Sequence, residues 1–169
     1  MKDAGYGVTM GLNYKLNALG AALGSSQLSK LDLRLSIRKT NAELWKKHLA
    51  KSKLLENYYH DNDEDIPSYY GVIFLINKRI LDKKINFAKH LNTLGICTDI
   101  FRYKYRLLCE YPLFSEYFDG SKSSSEMEFS NASSLVPRLL VLPTHEHLNN
   151  KIIKQGANII NEALQVALM

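Results

Sequence analysis

The sequence predicts a small α/β domain in two layers, helices packed on a short sheet, led by a long helix pair. Three observations carry this. Helical apolar stripes fill the segment from residue 16 to 53. Short apolar runs of strand length follow, interleaved with a further helical stripe, and an amphipathic stretch closes the chain. Apolar residues make up 46% of the 169 residues and charged residues 23%, so a real core is available without staples. With only nine glycines and four prolines, these values argue against a disordered, collagenous or repeat-array chain.

Residues 16–29 read as helix, because Leu16, Leu19, Ala22, Leu23 and Leu28 form one stripe. Asn13 is its expected N-cap, and Gly20 and Gly24 would admit a second backbone. Residues 30–53 read as one long helix. Leu28, Leu35, Ala42 and Leu49 recur every seven positions, with Leu31 and Trp45 beside them. Leu33, Ile37 and Leu44 widen the stripe, so two buried faces are expected. Arg38 falls on this seam and must snorkel or pair.

The acidic run 61–65 ends at Pro67 and reads as a loop. Its alternate acids resemble the opening of a calcium loop, but Ile66 and Val72 occupy positions that need Gly and Glu, so that site is rejected. Tyr69 to Asn77 is a strand, apolar on both faces and so covered on both. Leu81 to Leu94 is a helix with Leu81, Ile85, Ala88, Leu91 and Leu94 on one face and Gly95 as its stop. Ile96 to Phe101 reads as the next strand, and Arg102 to Tyr117 has no clear assignment. Arg138 to Leu142 is a short strand closed by Pro143. The final helix runs from about Asn150 to Leu168, capped by Asn149, with Leu148, Ile152, Ile159, Ala163 and Ala167 as its buried face.

Charge and motif exclude several functions. The net charge is +5, but the bases of residues 30–53 alternate with apolar helix positions and no base-stacking aromatics accompany them. A solvated basic face is favoured over nucleic-acid binding. Cys97 and Cys109 lack the spacing of a zinc or disulfide framework, which suits a reducing compartment. His145-x-His147 reads as a turn and helix start rather than a metal site. Gly5, Gly7 and Gly11 do not have dinucleotide-loop spacing, and no strained G-x-S-x-G nucleophile turn is present. Glu110 and Glu116 are no better an acid–base pair than any two surface carboxylates. No stretch is long and apolar enough to span a bilayer, and the start lacks the order of a signal peptide. A cytoplasmic chain is expected.

The strongest signal is Gly11-Leu12-Asn13-Tyr14-Lys15-Leu16, continuing through Ala21-Ala22-Leu23-Gly24 to Gln27-Leu28-Ser29-Lys30-Leu31-Asp32. It resembles the segment G-x-N-x-[RK]-[ML]-x-E-x-x-A-A-x-G-x-x-Q-L-x-x-L-D of the pyridoxal-phosphate-dependent sugar aminotransferases of DegT/DnrJ/StrS type. Later features follow in the family's order. Arg38 falls at its basic helix position, Gly95-Ile96-Cys97-Thr98 is similar to its G-I-x-T turn, and Leu142-Pro143-Thr144 with the closing helix resembles its L-P-x-H-x-x-L ending.

The resemblance implies the C-terminal small domain of a fold-type-I aminotransferase, its sheet mostly antiparallel. It implies a helical interdomain and dimer segment over 1–53 and the small domain over 54–169. The family's cofactor is pyridoxal 5'-phosphate, its substrates nucleotide-linked keto-sugars with an amino donor such as glutamate, its assembly a homodimer. The Schiff-base lysine belongs to a large domain with no counterpart here, so this chain is not expected to catalyse alone. Its partners are then a second copy or the missing cofactor domain, with neither nucleic acid nor membrane. Asn13 and Lys15 correspond to the family's cross-dimer contacts with the cofactor phosphate, an amide and an ammonium suited to a dianion. Arg102 and Tyr103 are the candidate substrate contacts. Two departures bear on substrate class: Ala18 stands where the family has Glu, and Arg106 and Leu107 replace its P-L-H. The alternative reading is a stand-alone, non-catalytic binding or regulatory partner of a full-length enzyme.

Overall fold

The computed structural model describes residues 16–58, 67–98, 100, 105–114 and 129–168. It divides into two units, residues 1–33 and 34–169. In the first unit, α1 spans Ala18–Leu28. Asn17 caps it, not Asn13: the Asn17 side-chain oxygen accepts the Gly20 N–H at 2.7 Å. Asn13 itself lies outside the described residues. No residue of α1 is buried.

Helix α2 spans Leu31–Leu49 and stops four residues before the expected end at Lys53. The Ser52 N–H bonds the Leu49 carbonyl at 3.0 Å, and the Ser52 hydroxyl takes the Leu54 N–H at 3.4 Å. A serine that offers the backbone its own oxygen favours such a turn over another helical residue. One face of α2 is buried, not two, through Asn41, Ala42, Trp45 and Leu49, while Leu33 stays exposed.

Three antiparallel strands follow in spatial order β1–β2–β3. These are β1 (Leu55–Asn57), β2 (Gly71–Ile76) and β3 (Leu139–Pro143). Leu55 opposes Ile76, and Phe74 opposes Leu140. The central strand β2 is covered as its unbroken apolar run requires, with Val72, Phe74, Leu75 and Ile76 buried. Arg138 ties the sheet together. Its Nε donates to the Ile76 carbonyl at 2.9 Å, and its Nη2 lies 2.8 Å from Glu56 on β1.

A 3₁₀ turn, Lys78–Ile80, leads into α3, Lys84–Thr93. Its buried face is Lys84, Phe87, Ala88 and Leu91, whereas Ile85 and Leu94 of the expected stripe are exposed. Gly95 ends it as expected, at φ +80°. The Ile96 N–H reaches back to Leu91 O at 2.9 Å and the Gly95 N–H to Asn92 O at 3.1 Å, a Schellman closure. This overturns the strand expected from Ile96: residues 96–98 are not paired in the sheet. Ile96 is instead half-buried, packed against the core cluster that includes Leu91. Helix α4, Ser130–Leu135, precedes β3.

Helix α5 spans Asn150–Leu168, with Asn149 accepting the Ile152 N–H at 3.0 Å as its N-cap. Its buried face is Ile153, Gly156, Ala157, Ile160, Ala163 and Leu164. That is rotated about one residue from the expected stripe; Ile152 is 44% exposed, and Ile159 and Ala167 lie at the margin. The core of the second unit is one cluster drawn from α2, the sheet, α3 and α5. Among the described residues no helix is long and apolar enough to cross a membrane.

Candidate functional site

The three later segments that carry the family resemblance come together. Arg38, Gly95-Ile96-Cys97 and Leu142-Pro143-Thr144-His145 line one cleft of about 400 Å³ in the second unit. Trp45, Leu148, Ile152 and Gly156 give it an apolar floor, and Tyr70 joins Arg38 and His145 in supplying polar groups.

One stripe of α2 builds the wall. Arg38, Asn41, Trp45 and His48 sit at i, i+3, i+7 and i+10, on one helical face. Each meets a different point of the chain between β3 and α5. The Trp45 Nε1–H donates to the Pro143 carbonyl at 2.8 Å. The Asn41 amide donates to both the Thr144 and His145 carbonyls at 3.1 Å. Arg38 Nε pairs with Glu146 at 3.3 Å, and His48 Nε2 lies 3.2 Å from the Asn150 side-chain oxygen. Irregular backbone, buried and unpaired, would cost free energy at each polar group. The helix supplies the missing partners. Arg38 thus pairs, as its place on the seam requires. Asn41 and Glu146 are neighbours of the cleft that sequence reasoning did not single out; the available signal was polar residues at i+3 and i+10 from Arg38, Asn41 and His48.

The backbone beside the cleft is strained. Tyr69 is buried, with φ +45°, a region a bulky residue seldom adopts. The Thr144 hydroxyl donates to its carbonyl, and the Lys46 ammonium lies 5.4 Å from its ring centroid. Gly71 follows because nothing larger fits: a Cβ there would meet Val141 Cγ1 at 2.5 Å. The bend carries Tyr70 to the cleft, 64% exposed.

Electrostatics hold the rim closed on itself. The Glu146 carboxyl is held below its ordinary value, first by its own backbone N–H and then by the hydrogen bond and charge of Arg38, with Arg34 adding to it. The Arg38 guanidinium is therefore already engaged. Cys97 is an exposed thiol. The rings of His145 and His147 lie 6.0 Å apart, and no group of three metal-ligating side chains occurs among the described residues. The cleft offers an apolar floor with a hydroxyl, an imidazole and a guanidinium at its edge. That is a surface suited to holding a ligand. The candidate contacts Asn13, Lys15, Arg102 and Tyr103 lie outside the described residues, as do Glu116 and the acidic run 61–65.

The sheet and helices resemble parts of larger solved proteins. The chain is similar to the Helicobacter pylori aminotransferase PseC, involved in the biosynthesis of pseudoaminic acid, at 20% identity and TM-score 0.79, over 94% of this chain and 40% of that one. It is similar to Spr1654 from Streptococcus pneumoniae in its PLP form, at 17% identity and TM-score 0.77, over 92% of this chain and 37% of that one. It is similar to the sugar aminotransferase CalS13 from Micromonospora echinospora, at 19% identity and TM-score 0.65, over 90% and 37%. The chain therefore spans about 40% of the length of such proteins. No curated protein matches it. The sequence profile of the DegT/DnrJ/EryC1/StrS aminotransferases matches residues 1–161. With that match across nearly the whole chain, and its three later motif segments gathered into one cleft, the chain belongs to the DegT/DnrJ/EryC1/StrS aminotransferase family.

Proposed function

We propose that this chain is the C-terminal portion of a pyridoxal-phosphate-dependent aminotransferase acting on a nucleotide-linked keto-sugar. The observation that carries the reading is the family match over residues 1–161 beside a coverage of only 40% of the PseC chain. In this reading the cleft beneath Arg38 and His145 forms part of the substrate wall. Asn13 and Lys15 reach the cofactor phosphate of a partner subunit, and Arg102 and Tyr103 face the sugar. The working enzyme is a cytoplasmic homodimer.

The described residues do not by themselves fit the cofactor. Its chemistry needs an imine-forming lysine, a carboxylate for the pyridine nitrogen and a phosphate cradle. Lys84 is the buried lysine here, and its cleft is lined by Leu81, Ile85, Ile100, Tyr105 and Pro137, without a carboxylate. In this reading the chain alone is inactive.

The coding DNA upstream of Met1 tests this. An open frame encoding a cofactor domain with its lysine motif is the expected result. In-frame stop codons beside a ribosome-binding site would overturn it in favour of a stand-alone, non-catalytic partner. In the assembled enzyme, Asn13→Ala and Lys15→Ala should each weaken cofactor binding about tenfold, as loss of a charge-assisted phosphate contact implies. Unchanged affinity in both would remove these residues from the phosphate site.

A further inference from the structure

We propose that the second unit holds a separate binding site for a small organic monoanion, a carboxylate with an apolar body, in the clefts on either side of Tyr105 and Pro137. Its charged end lies on the Lys84 ammonium. The first cleft, about 280 Å³, is walled by Leu81, Ile85 and Ile100 around Lys84. The second, about 170 Å³, shares Tyr105 and Pro137 with the first and adds Arg106, Glu110 and Ser133. Neither contains Arg38 or His145 of the proposed substrate wall.

Two polar groups here lack what they need. Lys84 is 8% exposed, and its Nζ donates to the Pro137 carbonyl at 2.5 Å. An ammonium carries three donors and a full charge. Among the described residues no carboxylate lies within ion-pairing distance of it. Burying a cation without a counter-charge is costly, and an anion brought to it removes that cost. The Ser133 hydroxyl oxygen is also buried, and among the described residues no partner satisfies it. It lines the second cleft. Arg106 lies over the Tyr111 ring at 5.5 Å and adds positive potential. Glu110, whose carboxylate accepts the Leu107 N–H at 3.0 Å, keeps its negative charge in the second cleft. That places the anion's head at the Lys84 side of the seam, with its body against Leu81, Ile85 and Ile100.

The chemistry selects a monoanion. Among the described residues, one ammonium without an ion-pair partner faces apolar walls. A phosphate dianion would bring a second charge that these walls cannot solvate, and a neutral ligand would leave the ammonium as it is.

The test is calorimetric titration of the chain with hexanoate, with hexanol and inorganic phosphate as comparators. Saturable hexanoate binding is expected, at least about tenfold tighter than hexanol, and lost about tenfold or more in Lys84→Met. Hexanol binding as tightly as hexanoate, phosphate outcompeting it, or no saturation by about 50 mM would overturn the proposal. So would retention of hexanoate affinity in Lys84→Met. Should that variant not fold, the hexanoate–hexanol comparison in the unaltered chain decides, together with the NMR shift of the Lys84 side chain on titration.

Discussion

Gly156 shows how one hydrogen atom positions an aromatic ring. A Cβ at this position would lie 2.8 Å from Trp45 Cη2. Trp45 cannot retreat, because it is 3% exposed and its Nε1–H is anchored to Pro143. Gly156→Ala gains about 1 kcal/mol of helix propensity but overpacks the core by about 1–3 kcal/mol. A net loss in urea denaturation is expected, and the double variant with Trp45→Phe should show favourable coupling. An additive cycle would mean that the ring moves aside freely. Lys84 gives a second prediction. Burial lowers its pKa from 10.5 to about 8. Between these values the unfolded chain holds a proton that the folded chain has lost, so stability rises as pH climbs from about 8 towards 10.5. The nearest charged neighbours along the chain, Asp82 and Lys83, form no ion pair with it among the described residues. Lys84→Met should be more stable at pH 7 and flat across that window; an unchanged slope would assign the titration to another group. Glu146 runs the other way. Its carboxyl is held low, so its contribution is present above the ordinary carboxylate value and lost as pH falls through its folded value. Glu146→Gln should therefore shallow the acid limb of the stability profile.

At the scale of elements, the packing stripe of α2 was only half legible. Its heptad leucines announced a helix, and Ala42 and Leu49 are buried as expected. The residues that organise the cleft are the polar ones on that stripe. Asn41 and Thr144 are 103 positions apart, and nothing local in either announces the other. The helix α3 was legible through Gly95, whose positive φ demands glycine. Gly95→Ala should cost about 1–2 kcal/mol, as a left-handed alanine does. The run after it was misread because an apolar string of strand length buries itself equally well by folding back through a Schellman closure. Strand β1, three residues long, is too short to show a period at all. Arg138 is the element-level staple between strands. Arg138→Ala removes a charge-assisted bond to Ile76 and the pair with Glu56, and a loss of about 1.5–3 kcal/mol is expected in thermal or urea unfolding.

At the scale of the whole molecule, the first unit exposes what a folded protein ordinarily covers. Leu16, Leu19, Leu23 and Leu28 are 63–85% exposed, and no residue of α1 is buried. Contiguous apolar surface of this kind drives association. The chain should self-associate in light scattering, and Leu19→Ser with Leu23→Ser should shift it towards monomer. A monomer at high concentration without those changes would show that the surface is harmless. The sequence by itself determined the identity of most elements, the glycine and asparagine boundaries of α3 and α5, and the family, because these are written in local spacing and in ordered motif segments. Only the tertiary structure decided the rest: which face of α5 is buried, that Ile96 leaves the sheet, and that Arg38, Asn41 and Trp45 clamp the segment from Pro143 to Glu146. The physical reason is that such contacts join residues about a hundred positions apart. Their partners are chosen by strand register and by the volume left between helices, neither of which has a period that a sequence can display.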